Sequence, residues 1–319
     1  TAETIPEYAQ FAEPLVDDGR ELVELVASGI HPVVRSLATG RHYGGTSRWP
    51  LIPGVDAVAR TADGKLIFTG YVQPPYGTLA ERMAVPAGMR LPLPPGADPV
   101  RIAGGLNPGL SSWMPLLARA EEIGSLGTVL ILGVTGMAGS LAAQNARLLG
   151  AERIVGIGRD PDALLRAATA GAATVALSGD CSSDQATLVD ALQGAAPSIV
   201  LDFLWGAPTE MTFCALSRRG LDEDRADIPY VQIGAAAGSD ASVPAALLRS
   251  RRIRISGSGA GSASIAAILE QVPVYMRLIA DDQVDVPTKT FSLAQIGDAW
   301  IAASRGGPRV VIVPGAAAE

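Results

Sequence analysis

Gly133, Gly136 and Gly139 stand three residues apart in LILGVTGMAGS, between an apolar run and an Ala/Leu-rich stretch. Glycine lets a backbone turn sharply and come close to a ligand, and the first turn of a helix offers unpaired N–H groups with a partial positive charge. A strand, a glycine turn and a helix in that order form a cradle for a diphosphate. The spacing is G-x-x-G-x-x-G, with Thr135 where the commoner motif has its middle glycine, so the flanking pattern carries the reading. The cradle comprises Gly133, Thr135, Gly136, Met137 and Ala138. The next apolar run ends in Gly158-Arg159-Asp160. An acid at that point would bind the ribose 2′-hydroxyl of NAD, whereas a small residue followed by Arg accommodates the 2′-phosphate of NADP. Gly158 with Arg159 therefore selects NADPH, and Asp160 is expected to cap the following helix.

These residues need a frame. Apolar runs at 128–134, 153–158, 173–178, 198–204, 230–235 and 252–258 read as strands, and 138–150, 160–171, 187–194 and 264–282 as helices. The strands are apolar throughout rather than alternating, as in a parallel sheet covered on both faces. Six such strands predict a doubly wound α/β domain of the Rossmann type. Its ligands lie outside the carboxyl ends of the strands. That places FLWGAP (203–208), with Trp205, beside a nicotinamide ribose. It places IGAAAG (233–238), with Gly234 and Ala235, where backbone can bind the carboxamide. The sixth strand, RIRISGSG, alternates and lies at the sheet edge, open to pairing. Residues 1–110 are punctuated by Pro and Gly and predict an irregular, mostly β domain. The tail reads strand, helix, strand, and VVIVP needs the first domain's sheet to pair with. The expected division is a catalytic domain of 1–115 with 283–319 and an NADPH-binding domain of 116–282, with a cleft between them.

Composition agrees with this frame. The 319 residues are 48% hydrophobic and 18% charged, enough for two cores. The net charge of −7 and the lack of a long Lys/Arg cluster argue against a nucleic-acid partner. The acidic start lacks the pattern of a secretory signal, and no apolar stretch is long enough to cross a bilayer. Cys181 and Cys214 read as free thiols, which suits a reducing cytoplasm. Two His and two Cys are too few for a usual zinc site of sulfur and imidazole ligands.

Together with the upstream segments, these motifs resemble the medium-chain dehydrogenase/reductase superfamily, and its zinc-independent quinone oxidoreductase branch in particular. WPLIPGVDAVARTADGK, YGTLAERMAVPAGMRLPLPPGAD, GVTGMAGSLAAQNARLLGA and FSLAQIGDAWIAASRGGPRVVIVP are similar to its segments, in order and over nearly the whole chain. The resemblance implies a GroES-like catalytic domain and a homodimer through the Rossmann sheet edge. Where zinc members carry their ligands this chain has His31, Val55 with Asp56, and Asn107, so no metal is expected. Asp56 is expected to order the domain interface.

Hydride transfer builds negative charge on the substrate oxygen, which a donor must stabilise. The expected donors are Ser36, His42 and Tyr43 in RSLATGRHYG, and Ser111, which matches a family Thr near the nicotinamide; Arg35, Tyr71 and Tyr76 are further candidates. Ser111 has a second reading as a helix cap, and His31 as a structural hydrogen-bonding residue. The function implied is a zinc-independent, NADPH-dependent reductase of a quinone or conjugated enone. A carbonyl reductase or alcohol dehydrogenase, or a non-catalytic NADPH sensor, are the alternatives.

Overall fold

The computed structural model describes residues 5–16, 19–46, 48–259 and 261–315. The chain divides into two compact units, one of residues up to Pro108 with those from Leu269 on, the other Gly109–Ile268. In chain order, β1 (Arg20–Gly29), α1 (Pro32–Ala38), β2 (Asp56–Arg60), β3 (Leu66–Gly70), β4 (Arg82–Pro86) and β5 (Leu91–Pro92) lead into the long helix α2 (Pro99–Ile123). Then come β6 (Thr128–Leu132), α3 (Met137–Leu148), β7 (Arg153–Gly158), α4 (Pro161–Thr169), β8 (Ala173–Ala176), α5 (Cys181–Leu192) and β9 (Ile199–Asp202). They are followed by α6 (Ala207–Leu216), β10 (Ile228–Gln232), α7 (Ala245–Ser250), β11 (Ile253–Gly257) and α8 (Ile265–Ala280). The chain closes with β12 (Thr288–Ser292), α9 (Ile296–Ala303) and β13 (Arg309–Val313).

In the first unit the strand order is β12-β13-β1-β2-β3-β5, with β4 also on β1. The tail returns as expected: β13 runs antiparallel to β1, Ser28 facing Ile312. Its core gathers Val23, Leu25, Met83, Val85, Trp300 and Ile312.

In the second unit six strands run parallel in the order β11-β10-β9-β6-β7-β8. The order reverses between β9 and β6, where doubly wound folds open a ligand crevice. Side chains alternate between two cores: Val129 and Ile131 of β6 point to one, Leu130 and Leu132 to the other. Both faces are covered at the inner strands, which is why these read as unbroken apolar runs, whereas β11 at the edge is largely exposed and alternates. Asp160 caps α4 by accepting from the Ala163 N–H at 2.7 Å, as its sequence position predicts.

Five elements depart from the sequence reading, the short helix α1 in the mostly β first part among them. α5 starts at Cys181, six residues ahead of the expected helix, because Asp180 accepts from the Ser183 N–H at 2.8 Å and caps it. α2, α6 and α7 are unannounced by pattern. α2 contains Gly104, Gly105, Asn107, Pro108 and Gly109, all poor helix formers. Packing overrides propensity here: Ile102, Ala103, Leu106, Leu110, Trp113 and Leu116 form one buried stripe. Gly104 and Gly105 let the helix lie close to its neighbours, since a Cβ would run into Thr288, Arg309 and Val311 at the first and Val286 at the second.

Candidate functional site

The expected cofactor residues come together at one edge of the parallel sheet. Gly133–Ala138 follow β6, Gly158 and Arg159 end β7, Trp205 follows β9, and Gly234 and Ala235 follow β10. These are four adjacent strands, so their carboxyl ends share one edge.

The β6–α3 turn has the form of an anion cradle. Gly133 takes φ +91°, which L side chains avoid. A Cβ on Gly139 would collide with the Gly133 carbonyl, so only glycine lets the helix start so close to the turn. α3 begins at Met137, and its N-cap, Gly136, supplies no side-chain cap, so no side chain of its own occupies the N–H groups of its first turn. Open donors, a positive helix end and no Cβ in the way suit a diphosphate. Gly158 is equally constrained, because a Cβ there would strike the Thr135 side chain. Arg159 is exposed.

Asp202, unassigned from sequence, organises the rest of this edge. It is fully buried. Its Oδ1 accepts from the N–H of Leu204 (2.8 Å) and Trp205 (3.0 Å), and its Oδ2 from Thr209 Oγ1 (2.5 Å) and the Tyr230 hydroxyl (2.6 Å). Its carbonyl accepts from the N–H of Ile233 and Gly234. One residue therefore fixes the Trp205 loop with its carboxylate and the Gly234 loop with its backbone. Trp205 sits at φ +55°, a left-handed conformation, and its ring meets Phe213 edge-on. Burial, then the Asp202 charge, push the Tyr230 hydroxyl far above its usual pKa. The available signal was a lone acid inside SIVLDFL, because a carboxylate in a buried strand must find donors.

Of the expected donors, Ser36, His42 and Tyr43 lie together in the first unit. Ser36 is in α1, and its carbonyl accepts from the N–H of Arg41 and His42. The His42 and Tyr43 rings stack, with centroids 4.1 Å apart. Tyr43 is 79% exposed. His42 Nδ1 accepts from the Gly44 N–H at 3.1 Å, which leaves the Nε2 position to carry the proton of the neutral ring. Burial lowers its pKa from the usual histidine value. Arg35 lies over the Trp300 ring. Tyr71 is exposed at φ +57°, and the Tyr76 hydroxyl donates to the Glu13 carbonyl. Ser111 falls in the second unit's part of α2, well inside the helix, which rules out the cap reading.

A second buried cluster lies in the first unit. His31 Nε2 is 3.3 Å from Asp56 Oδ1, and Asn107 Nδ2 donates to Asp56 Oδ2 at 2.6 Å. Arg309, also buried, donates to the Ile30 carbonyl; burial draws its pKa down to about 10 against the opposing pull of Asp56. Among the described residues no three His, Cys, Asp or Glu side chains are grouped as metal ligands, and no helix is long and apolar enough to cross a membrane. A groove of about 760 Å³, lined by Leu221, Asp227, Arg249 and Arg254 among others, lies at the amino ends of β10 and β11. It is at the opposite end of the sheet from the glycine turns.

No protein-family model matches the chain. Its sequence is similar to a probable NADPH-dependent quinone reductase of Emericella nidulans, 28% identical over 350 residues, 97% of this chain and 96% of that protein. Its fold is similar to the quinone oxidoreductase of Thermus thermophilus, solved also with NADPH (TM-score 0.76, 24% identity, 96% of this chain and 95% of that one). It is also similar to the quinone oxidoreductase of Pseudomonas syringae pv. tomato (TM-score 0.79, 19% identity, 97% and 95%).

Proposed function

We propose that this chain is a quinone oxidoreductase-like protein of the medium-chain dehydrogenase/reductase superfamily and an NADPH-dependent reductase of quinones, which its similarity to an NADPH-dependent quinone reductase and its fold support. The observation that carries this is the shared edge of β7, β6, β9 and β10, with its uncapped helix start and Gly158-Arg159 beside it. NADPH, when bound, supplies the hydride.

Every other part belongs to the protein. First-turn N–H groups of α3 hold the diphosphate, with Gly133, Thr135, Gly136, Met137 and Ala138 as the cradle. Arg159 pairs with the 2′-phosphate, and Gly158 leaves room for it. Trp205, Gly234 and Ala235, on the loops that Asp202 fixes, hold the nicotinamide half. Ser36, His42, Tyr43 and Ser111 serve the substrate. A quinone that gains a hydride also needs a proton to leave as hydroquinone; solvent supplies that proton, and the neutral His42 ring donates a hydrogen bond from its Nε2–H to the oxygen that receives it.

The reaction runs without zinc, since Val55 and Asn107 replace two ligands of the zinc-dependent relatives and hydrogen bonds replace the metal's polarisation. The unit up to Pro108 with the residues from Leu269 on carries the GroES-like catalytic role, and the unit Gly109–Ile268 binds NADPH, so the breaks fall before the 115/116 and 282/283 expected from the sequence. The free thiols Cys181 and Cys214, both exposed, suit work in the cytoplasm. β11 at the sheet edge suits pairing of two copies. The test is NADPH oxidation against a panel of quinones, conjugated enones and ketones. Turnover confined to quinones supports the reading. Turnover confined to ketones, or tight NADPH binding with no turnover at all, would replace it with a carbonyl reductase or a sensor.

A further inference from the structure

Asn107 is an exposed amide mounted on buried groups. Its partner Asp56 is 6% exposed, and the histidine behind that carboxylate, His31, is 2% exposed. A carboxylate only accepts, so the Asn107 NH2 group must face Asp56 and cannot flip. One N–H is then held on Oδ2 at 2.6 Å, while the other points away from the carboxylate. Nothing else among the described residues is bonded to this amide.

The mount is built at a cost. Asn107 and Pro108 sit in mid-helix, where Pro108 cannot donate to the Gly104 carbonyl and a proline is worth about 3 kcal/mol of helix stability. Gly29 is also required, because a Cβ there would lie 2.6 Å from the His31 ring. Packing holds this helix, and within it Asn107 alone of these residues is exposed, with its amide aimed at a buried carboxylate. An amide with one fixed and one free N–H is the kind of preorganised donor that stabilises charge growing on an oxygen.

The geometry points to Asn107 as the hydrogen-bond donor to the substrate carbonyl oxygen, with Asp56 and His31 as positioning residues. This rests on the quinone-reductase reading. As hydride reaches the quinone ring, the electron pair of the conjugated system moves onto that oxygen. The free N–H of Asn107 holds it there, and no proton leaves the amide. The cluster thus does by hydrogen bonding what a Lewis acid would otherwise do.

The test uses the full chain with NADPH and one quinone, and compares wild type with Asn107→Ala, Asn107→Ser and Asp56→Asn. The expected result for Asn107→Ala is a kcat lower by about 100-fold, with NADPH affinity and quinone KM within threefold of wild type. Asp56→Asn, which lets the Asn107 amide turn, should lower kcat by about tenfold without moving KM. If Asn107→Ala fails to fold, Asn107→Ser decides. A folded Asn107 variant whose kcat stays within threefold of wild type, or whose loss lies entirely in KM, overturns the inference and leaves the quinone-reductase reading standing. A wild type that oxidises no NADPH with any quinone overturns both.

Discussion

The Tyr230 hydroxyl reaches the Asp202 carboxylate at 2.6 Å in a place that water does not enter. No cation pairs with Asp202 among the described residues; four donors satisfy it instead. Removing one leaves a buried charge underpaired, at about 1.5–3 kcal/mol for a hydrogen bond to an ionised group. Tyr230→Phe should therefore lower the unfolding free energy from urea titration by that amount at pH 8. The alkaline limb carries the sign. Folding raises the Tyr230 pKa above the unfolded value near 10, so this residue's stabilisation is complete below pH 10 and is lost as pH climbs beyond it. Wild type should lose more stability than Tyr230→Phe between pH 9 and 11. Parallel losses would show that the phenol is not held neutral.

Gly158 and Thr135 are coupled by shape. Gly158→Ala drives a methyl into the Thr135 side chain, a clash of the sort that costs about 1–3 kcal/mol. Thr135→Ala in the same chain should recover about 1 kcal/mol or more, read as the interaction term of a double-mutant cycle. Strict additivity would mean that the turn relaxes elsewhere.

Arg159→Glu should weaken NADPH binding by about tenfold or more, which is at least ~1.4 kcal/mol, and leave NADH binding unchanged or tighter. Fluorescence titration with both dinucleotides reads this directly. An unchanged NADPH/NADH ratio removes Arg159 from the adenosine end.

His42 should titrate below the ordinary histidine midpoint of 6.5, since burial disfavours its charged form and protonation would forfeit the bond from Gly44. A depressed pKa makes the neutral ring's contribution present above 6.5 and lost as pH falls through the folded value. With two histidines in the chain, NMR titration of the His42→Gln variant assigns the resonance. A midpoint at or above 6.5 would contradict the reading.

Much of the cofactor-binding unit is legible in the sequence because parallel strands buried on both faces leave unbroken apolar runs, and a glycine turn needs its glycines at fixed places. The β6–α3 turn and the Asp160 cap both follow from such signals. α2 does not, because its buried stripe is interrupted by Gly104, Gly105 and Pro108, which only close packing can tolerate. The Asp202 cluster is hidden for another reason. Thr209 and Tyr230 reach it from α6 and β10, and no local pattern announces partners that the sheet brings together. The Asn107 mount is half visible: its departure from the zinc pattern can be read, but not the carboxylate that orients it.

The pairing of Ser28 with Ile312 sets an order of events on the ribosome. The Gly109–Ile268 unit is one continuous stretch and can collapse once it has emerged. Most of β1 pairs early with β2 and β4, but its Ser28–Gly29 end waits for β13, translated only after the whole of that stretch. Chaperone contact during synthesis should therefore concentrate on the Ser28–Gly29 end of β1, and a premature stop before Arg309 should yield a dinucleotide-binding unit attached to an unclosed amino-terminal sheet.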